Sequence, residues 1–257
     1  MIHFKSDDEI ELIAQSAELL GRAHGLVAKN IKPGVKTVLL DQLADEFIRD
    51  HGGIPSFKNF NGFPYSLCIS MNEQVVHGFP GEVELKEGDI VSIDCGVLLN
   101  GFHSDSAFTY PIGEVSDDIM TLLKVTKSSL YAGIENMEKG KRLGDVSNAI
   151  QRYVEPYKYG IVRELVGHGI GRSLHEAPEV PNYGKSGKGM KLKEGLVLAI
   201  EPMINLGGRS VVQENDGWTI RTSDKKPSAH FEHTVAITSE GTRVLTTHKY
   251  IEEVFKF

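Results

Sequence analysis

Leu85-Lys-Glu-Gly-Asp-Ile-Val-Ser-Ile-Asp94 aligns without gaps on Leu192-Lys-Glu-Gly-Leu-Val-Leu-Ala-Ile-Glu201, and this match decides the fold. Five of the ten positions are identical and most of the others are conservative. In each segment a Lys-Glu-Gly turn leads into an apolar strand that ends on an acid, so Asp94 falls on Glu201. Turn-plus-strand units converge easily, but helical patterns also precede both segments in the same order. The chain therefore reads as two related halves, roughly 1–112 and 113–257, with acids facing a shared centre.

The helices upstream are marked by caps and periodicity. Ser6 followed by Glu9 has capping-box spacing, and Ile10, Ile13, Ala17 and Leu20 recur on one helical face. This first helix is expected to reach about Asn30, where Lys32-Pro33-Gly34 breaks it. A second, from about Thr37 to His51, carries Leu40, Leu43, Ala44, Phe47 and Ile48. The pattern repeats with a helix over Asp117 to Glu138, a break at Lys139-Gly140 and a short helix from Gly144 to about Pro156.

The 257 residues suffice for one large α/β unit or two small ones. A net charge of -7 argues against phosphate-backbone binding as the main activity. Cys68 and Cys95 form no C-x-x-C pair, which disfavours a thiolate zinc site and points to a reducing compartment. The N-terminus has no apolar run of signal-peptide length, and nowhere is there an uninterrupted apolar run long enough to span a membrane. The expectation is a cytoplasmic protein with no membrane association.

Strand-like runs Ile90 to Leu98 and Phe102 to Tyr110 flank Asn100-Gly101, a dipeptide that favours a two-residue hairpin turn. With that turn Asp94 faces Ala107 and Asp105 lies diagonally on the same face, the β-carbons about 7 Å apart or less. A three-residue loop would place the two acids on opposite faces. Like charges so close on an apolar hairpin repel unless a cation sits between them. Taken alone, the pair could equally be solvated.

Glu201 follows the wholly apolar Val197 to Ile200 and precedes Pro202, which suggests a buried acid. Glu232 lies in His230-Phe-Glu-His-Thr-Val-Ala-Ile237, where alternation places Glu232, Thr234 and Ala236 on one face. An ordinary exposed strand acid is equally consistent with it. His168 in Gly167-His-Gly-Ile-Gly171 has glycines on both sides, which allow close backbone approach and room for a metal. A second histidine, His175, stands in Leu174-His-Glu-Ala-Pro178. Gly167-x-Gly-x-Gly171 lacks dinucleotide spacing, Gly184-Lys-Ser-Gly-Lys-Gly189 does not fit a phosphate loop and reads as a solvated turn, and no H-E-x-x-H occurs.

Together Asp94, Asp105, His168, Glu201 and Glu232 resemble the five metal ligands of the type I, bacterial-like methionine aminopeptidases of peptidase family M24. The resemblance covers nearly the whole chain. It includes Asn72-Glu-Gln-Val-Val-His-Gly78, Ile93-Asp-Cys-Gly96, Gly101-Phe-His-Ser-Asp105, Gly167-His-Gly-Ile-Gly-Arg172 and Ala199-Ile-Glu-Pro-Met203. It implies the α/β pita-bread (creatinase/aminopeptidase) fold, two pseudo-symmetric halves with helices packed on a curved antiparallel sheet, as one catalytic domain over 1–257. The short interval between His175 and Glu201 leaves no room for the helical insertion of type II members, and no N-terminal zinc-binding extension is expected. A proline-directed peptidase of the same fold ranks second, since those enzymes usually carry a further N-terminal domain. A non-catalytic relative would be expected to have lost ligands that are all present here.

The resemblance further implies hydrolysis after an N-terminal methionine, best when the second residue is small. Four carboxylates and an imidazole suit two divalent cations, Co, Mn, Fe(II) or Zn, without choosing among them. Such a pair would lower the pKa of a shared water and polarise the carbonyl. Glu201 would relay that water's proton, His77 would contact the amide nitrogen side and His175 would stabilise the oxyanion. Phe60, Phe63, Cys68, His77, His175 and Trp218 would bind substrate. Phe57 and Leu174, like Phe60 and Phe63, stand at pocket positions where some members carry other residues, though all four remain apolar. Phe57 is equally consistent with core packing. The implied partners are nascent polypeptides beginning with methionine and, as a candidate, the ribosome; no nucleic-acid binding is expected, and a monomer is.

Overall fold

The computed structural model describes residues 2–255; Met1, Lys256 and Phe257, at the ends of the span expected for the catalytic unit, lie outside the described residues. Helix α1 (Asp7–Asn30) starts on the expected capping box. Glu9 N–H donates to Ser6 Oγ at 3.3 Å and Ser6 N–H donates to Glu9 Oε2 at 3.1 Å. Ile10, Ile13, Ala17 and Leu20 form its buried face. After the break comes α2 (Thr37–Asp50). Short strands β1 (Ile54–Pro55), β2 (Leu67–Met71) and β3 (Gln74–Val76) lead to the hairpin of β4 (Ile90–Leu99) and β5 (Phe102–Pro111).

The second half repeats the helix pair as α3 (Asp117–Ile134) and α4 (Leu143–Val154). Helix α3 ends before the expected Glu138. The chain tightens there to three-residue bonds, Asn136 N–H to Gly133 O and Met137 N–H to Ile134 O, which carry Met137 into the core. Then follow β6 (Gly160–Ile161), β7 (Gly167–Gly169), β8 (Glu176–Val180) and β9 (Val197–Ile200). The remainder comprises β10 (Met203–Asn205), β11 (Val211–Gln213), β12 (Ile220–Thr222), β13 (Ser228–His230), β14 (His233–Thr238), β15 (Gly241–Val244) and a short α5 (Lys249–Glu252).

Hydrogen bonds match across the repeat. Gly34 N–H donates to Leu85 O at 2.8 Å, as Gly140 N–H does to Leu192 O at 3.0 Å. Past the Lys-Glu-Gly turns, Gly88 N–H donates to Ile112 O at 2.9 Å and Gly195 N–H to Ile237 O at 2.8 Å. Gly88 and Gly195 have φ of 88° and 83°, the left-handed region where glycine is unstrained. The architecture is the expected pita-bread fold, α1 lying on β4 and β5 while α3 lies on β9, β10 and β13.

Two antiparallel sheets carry most of the strands. One has β2 and β1 in succession along one edge of β4 and β5 along the other; the other sheet runs β15-β14-β9-β7-β8. The turn at Asn100-Gly101 has two residues at φ 53° and 80°, and the register pairs Asp94 with Ala107 and Asp105 with Gly96. Both acids therefore share a face. The expected single strand from His230 to Ile237 is instead divided between β13 and β14. Phe231 N–H donates to Pro202 O and Glu232 N–H donates to Ala107 O, so this stretch leaves one sheet and joins another.

The halves meet where β5 runs beside residues 230–234. Thr234 Oγ1 accepts from Asp105 N–H at 3.0 Å and donates to Asp105 O at 2.8 Å, and Ser106 Oγ donates to Glu232 O at 3.0 Å. Thr109 Oγ1 donates to His230 O at 2.8 Å while accepting from His230 N–H at 2.9 Å. Phe108 and Phe231 pack edge to face across the seam with centroids 5.0 Å apart. Thr234 is wholly buried, so Thr234→Val keeps the shape and orphans two backbone groups. We expect a loss of about 1–3 kcal/mol in urea unfolding; an unchanged midpoint and slope would remove Thr234 from the seam.

Candidate metal centre

Asp94 sits in mid-β4, opposite Cys68 on β2 and Ala107 on β5. Its Oδ1 is buried with no hydrogen-bond partner among the described residues. Asp105 is 3% exposed, with Oδ1 accepting from Ser106 N–H at 3.1 Å. From the other half come His168 in β7, Glu201 one residue past β9 and Glu232 between β13 and β14. Pairing of His168 with Ala199, and of Ala199 with Thr234, sets these three in neighbouring strands.

The His168 tautomer is fixed by its backbone. Nδ1 lies 2.9 Å from Gly169 O, an atom that can only accept, so Nδ1 carries a proton and Nε2 is the nitrogen turned towards the acids. Nε2 faces Asp105 Oδ2 at 3.9 Å and Glu201 Oε1 at 3.8 Å. Such spacing is too long for a hydrogen bond. It is the separation of ligands that share one ion about 2 Å from each. Ligand atoms of Asp105, His168 and Glu232 all lie within 4.8 Å of one another, and Glu232 Oε1 is a second buried acceptor with no partner among the described residues. The donor set and its orphaned acceptors fit divalent cations.

Burial foremost, with the repulsion of neighbouring acids, raises the carboxyls. Asp94 is pushed up to about 7 although His230 pulls against the rise, and Asp105 and Glu232 go well above the ordinary carboxylate range. His230 was not singled out from the sequence. It is 1% exposed and its Nε2 lies 3.3 Å from Glu201 Oε2. Burial alone would lower its pKa, but Glu201 and Asp94 raise it overall. Its signal was present, two residues before Glu232 in the same quoted stretch.

Glycines around His168 serve close packing. A Cβ on Gly167 would stand 2.4 Å from Ala199 O, and one on Gly169 would stand 2.4 Å from Ala177 O. The backbone approach expected from the sequence is present, but it is neighbouring strands that occupy the space assigned to a metal. His77 has φ 59°, uncommon outside glycine, and the next residue, Gly78, passes so close to β2 that a Cβ would meet Ile69 O at 2.3 Å. This crossing brings His77 to the cavity. His175 packs between His168, with ring centroids 4.3 Å apart, and Phe60, at 5.1 Å. Burial and the neighbouring His168 lower its pKa to about 4, so it is neutral near pH 7.

All of these residues but His230 line one cavity of about 660 Å³, which Phe57, Phe60, Phe63, Cys68, Leu174 and Trp218 also enclose. Trp218 meets Phe63 edge to face at 5.1 Å. Phe57 both lines the cavity and belongs to the core cluster beneath it. Burial and the two aspartates hold the Cys68 thiol protonated, leaving it a small apolar wall. Leu165 and Met203 also line it and were not anticipated. The Gly184 to Gly189 segment is a largely exposed turn, with Ser186 and Gly187 held by Asp145.

Residues 11–239 match the model of metallopeptidase family M24. The chain is 53% identical over 249 residues to the methionine aminopeptidase of Clostridium perfringens, covering 97% of this chain and 100% of that protein. It is 51% identical to methionine aminopeptidase 1 of Bacillus subtilis, covering 96% and 99%. The crystal structure of methionine aminopeptidase from Rickettsia prowazekii superposes with a TM-score of 0.94 at 40% identity, covering 96% of this chain and 100% of that one.

The raised carboxyls link metal to pH. Unfolded, they ionise near pH 4, so the metal-free fold holds protons that the unfolded chain releases. Their contribution is full below about pH 4 and is lost as pH rises through about 7. Buried His24 and His233, lowered by burial to about 4 and 3, act in the opposite sense up to their unfolded pKa of about 6.5. These histidines lie outside the candidate ligand set, so the difference between the two forms reports the ligands, most of which are acids. We expect the rise in Tm produced by excess Mn(II) to grow between about pH 5 and pH 8. A rise that is flat or shrinks with pH, followed by scanning calorimetry, would contradict the raised carboxyls.

Proposed function

This chain belongs to metallopeptidase family M24, and from that premise we propose that it removes methionine from the N-terminus of nascent proteins and peptides, preferring a small second residue. The names borne by its relatives support this reading. The observation that carries it is the meeting, in one cavity, of a buried acid-and-histidine cluster with a chamber of aromatic and sulfur-bearing walls. Asp94 and Asp105 from the half near 1–112, with His168, Glu201 and Glu232 from the half near 113–257, would hold two divalent cations. When bound, the pair supplies Lewis-acid polarisation and a water of lowered pKa. The donors suit Mn, Fe(II), Co or Zn.

The chain's own residues do the rest. Glu201 takes a proton from the attacking water and delivers it to the leaving amine, and His230 at 3.3 Å orients its carboxylate. Neutral His175 donates its N–H to the carbonyl oxygen as charge develops there. His77 contacts the scissile amide on its nitrogen side. The methionine side chain lies among Phe60, Phe63, Cys68 and Trp218, where a flexible thioether adapts to aromatic walls. No helix among the described residues is long and apolar enough to cross a membrane. Cys68 and Cys95 are free thiols, which agrees with a cytoplasmic enzyme. It acts there as a monomer on chains leaving the ribosome.

Peptides Met-Ala-Ser, Met-Leu-Ser and Ala-Pro-Ser test this reading together. Met-Ala-Ser should be cleaved fastest, chelation should abolish turnover, and His175→Ala and Glu201→Gln should each lower kcat by about 10²–10³-fold. Near-normal turnover by either variant, with metal content measured alongside, refutes that residue's role. Preference for Ala-Pro-Ser refutes the substrate.

A further inference from the structure

A second cavity adjoins the first at His175. It measures about 460 Å³ and shares His175, Glu176 and Ala177 with the first. One wall is the N-terminal strap from His3 to Lys5 and the other is Arg172 and Ser173, with Phe102 adding an apolar surface. Both walls are built with care. Ile2 bridges to Ala177, Lys5 N–H donates to Gly195 O at 2.7 Å, and Lys5 Nζ donates to Glu176 Oε2 at 2.6 Å and His3 O at 3.1 Å. Glu176 Oε1 accepts from Ser173 N–H at 3.2 Å, so a single carboxylate ties the two walls together.

The Lys5 and Glu176 side chains are only 4% and 8% exposed. A buried ion pair adds little net stability because both charges must be desolvated; here its effect is to fix position. The chain is bare of side chains on both sides of Lys5. A Cβ on Gly171 would stand 2.4 Å from Lys5 Cε, and one on Gly195 would stand 2.6 Å from Lys5 O. The strap is thus fitted against the loop that carries His175.

An enzyme that encloses the first residue of a polypeptide must let the remainder out past the scissile bond. We propose that this second cavity binds the substrate from its third residue onward. The proposal rests on the aminopeptidase reading above and on the side-by-side placement of two cavities that share His175, Glu176 and Ala177. The groove's chemistry suits many sequences. Its charges are already paired, Lys5 with Glu176 and Arg172 with Glu9 at 3.0 Å. What remains is the Phe4 ring, 47% exposed, among polar groups, while Phe102 lies buried with the Arg172 guanidinium 4.5 Å from its centroid. Neutral side chains, with one apolar contact to Phe4, fit such a lining better than charged ones.

The test is the ratio of kcat/KM for the hexapeptide Met-Ala-Ser-Leu-Tyr-Ser to that for Met-Ala-Ser, in the metal-loaded enzyme. We expect the longer peptide to be favoured about fivefold or more, the size of one apolar side-chain contact. Phe4→Ala, which removes a lining ring, and Ser173→Trp, which fills the groove, should each bring the ratio towards one. Tripeptide turnover in the same preparation reports that each variant is folded. A ratio of one in the unaltered enzyme, or the full ratio kept by both variants, overturns the groove while leaving the aminopeptidase reading intact. Failure to cleave either peptide overturns that reading, and the groove with it.

Discussion

Thr234 grips Asp105 from both sides of its peptide, and the geometry of the centre depends on that grip. One hydroxyl satisfies the N–H and the C=O of a residue in the opposite half. Thr109 does the same for His230, while Ser106 Oγ meets the Glu232 carbonyl and Ala107 O the Glu232 N–H. Ser106 and Thr109 of β5 thus bind the backbone of a segment that is itself in transit between sheets. The segment over Phe231 and Glu232 forms no ladder of its own, so β5 supplies the partners its backbone would otherwise lack. The same bonds that join the halves thereby set the distance between Asp105 and Glu232.

That seam acts against a substantial repulsion. Two ionised carboxylates about 4 Å apart repel by roughly 4 kcal/mol at an effective dielectric of 20. A seam hydrogen bond contributes about 1 kcal/mol. With several acids in the cavity the bonds cannot hold all of them ionised, so the metal-free centre takes up protons. Burial foremost, and this repulsion after it, raise the pKa values of Asp94, Asp105 and Glu232. His168 directs its Nδ1 proton to Gly169 O, which turns Nε2 towards the acids. Divalent cations held there would take the place of protons on the acids and would have the imidazole Nε2 as a further ligand.

What could be read from the sequence follows the range of the interaction responsible. The Asn100-Gly101 turn is local chemistry, since two residues that tolerate positive φ force a hairpin and the register follows. It placed Asp94 and Asp105 on one face, as found. The capping box of Ser6 and Glu9 is equally local and also held. The break between β13 and β14 was invisible because it depends on Ala107 and Pro202, far away in the chain. His230 escaped notice for the same reason, its relation to Glu201 existing only after β10 has paired with β13. The end of α3 was misjudged because Met137 is drawn inward by the core and not by any helix-stop residue.

The two halves supply the candidate centre by different means, although their turn-and-strand sequences match. Asp94 and Asp105 stand within long, continuous strands whose mutual position a tight turn fixes. Glu201, Glu232 and His168 stand at a strand end, at a change of sheet and in a three-residue strand. Strand ends let a side chain be aimed without regard to alternation, but they need outside support. Asn182 supplies it at the Glu201 carbonyl, Ala107 at the Glu232 N–H, and the bare faces of Gly167 and Gly169 at His168. The literal match of Asp94 with Glu201 therefore records common architecture more than common geometry. After that shared position the first half continues its strand through Cys95, whereas Pro202 ends the second at once, and this difference leaves Glu201 free to meet both His168 and His230.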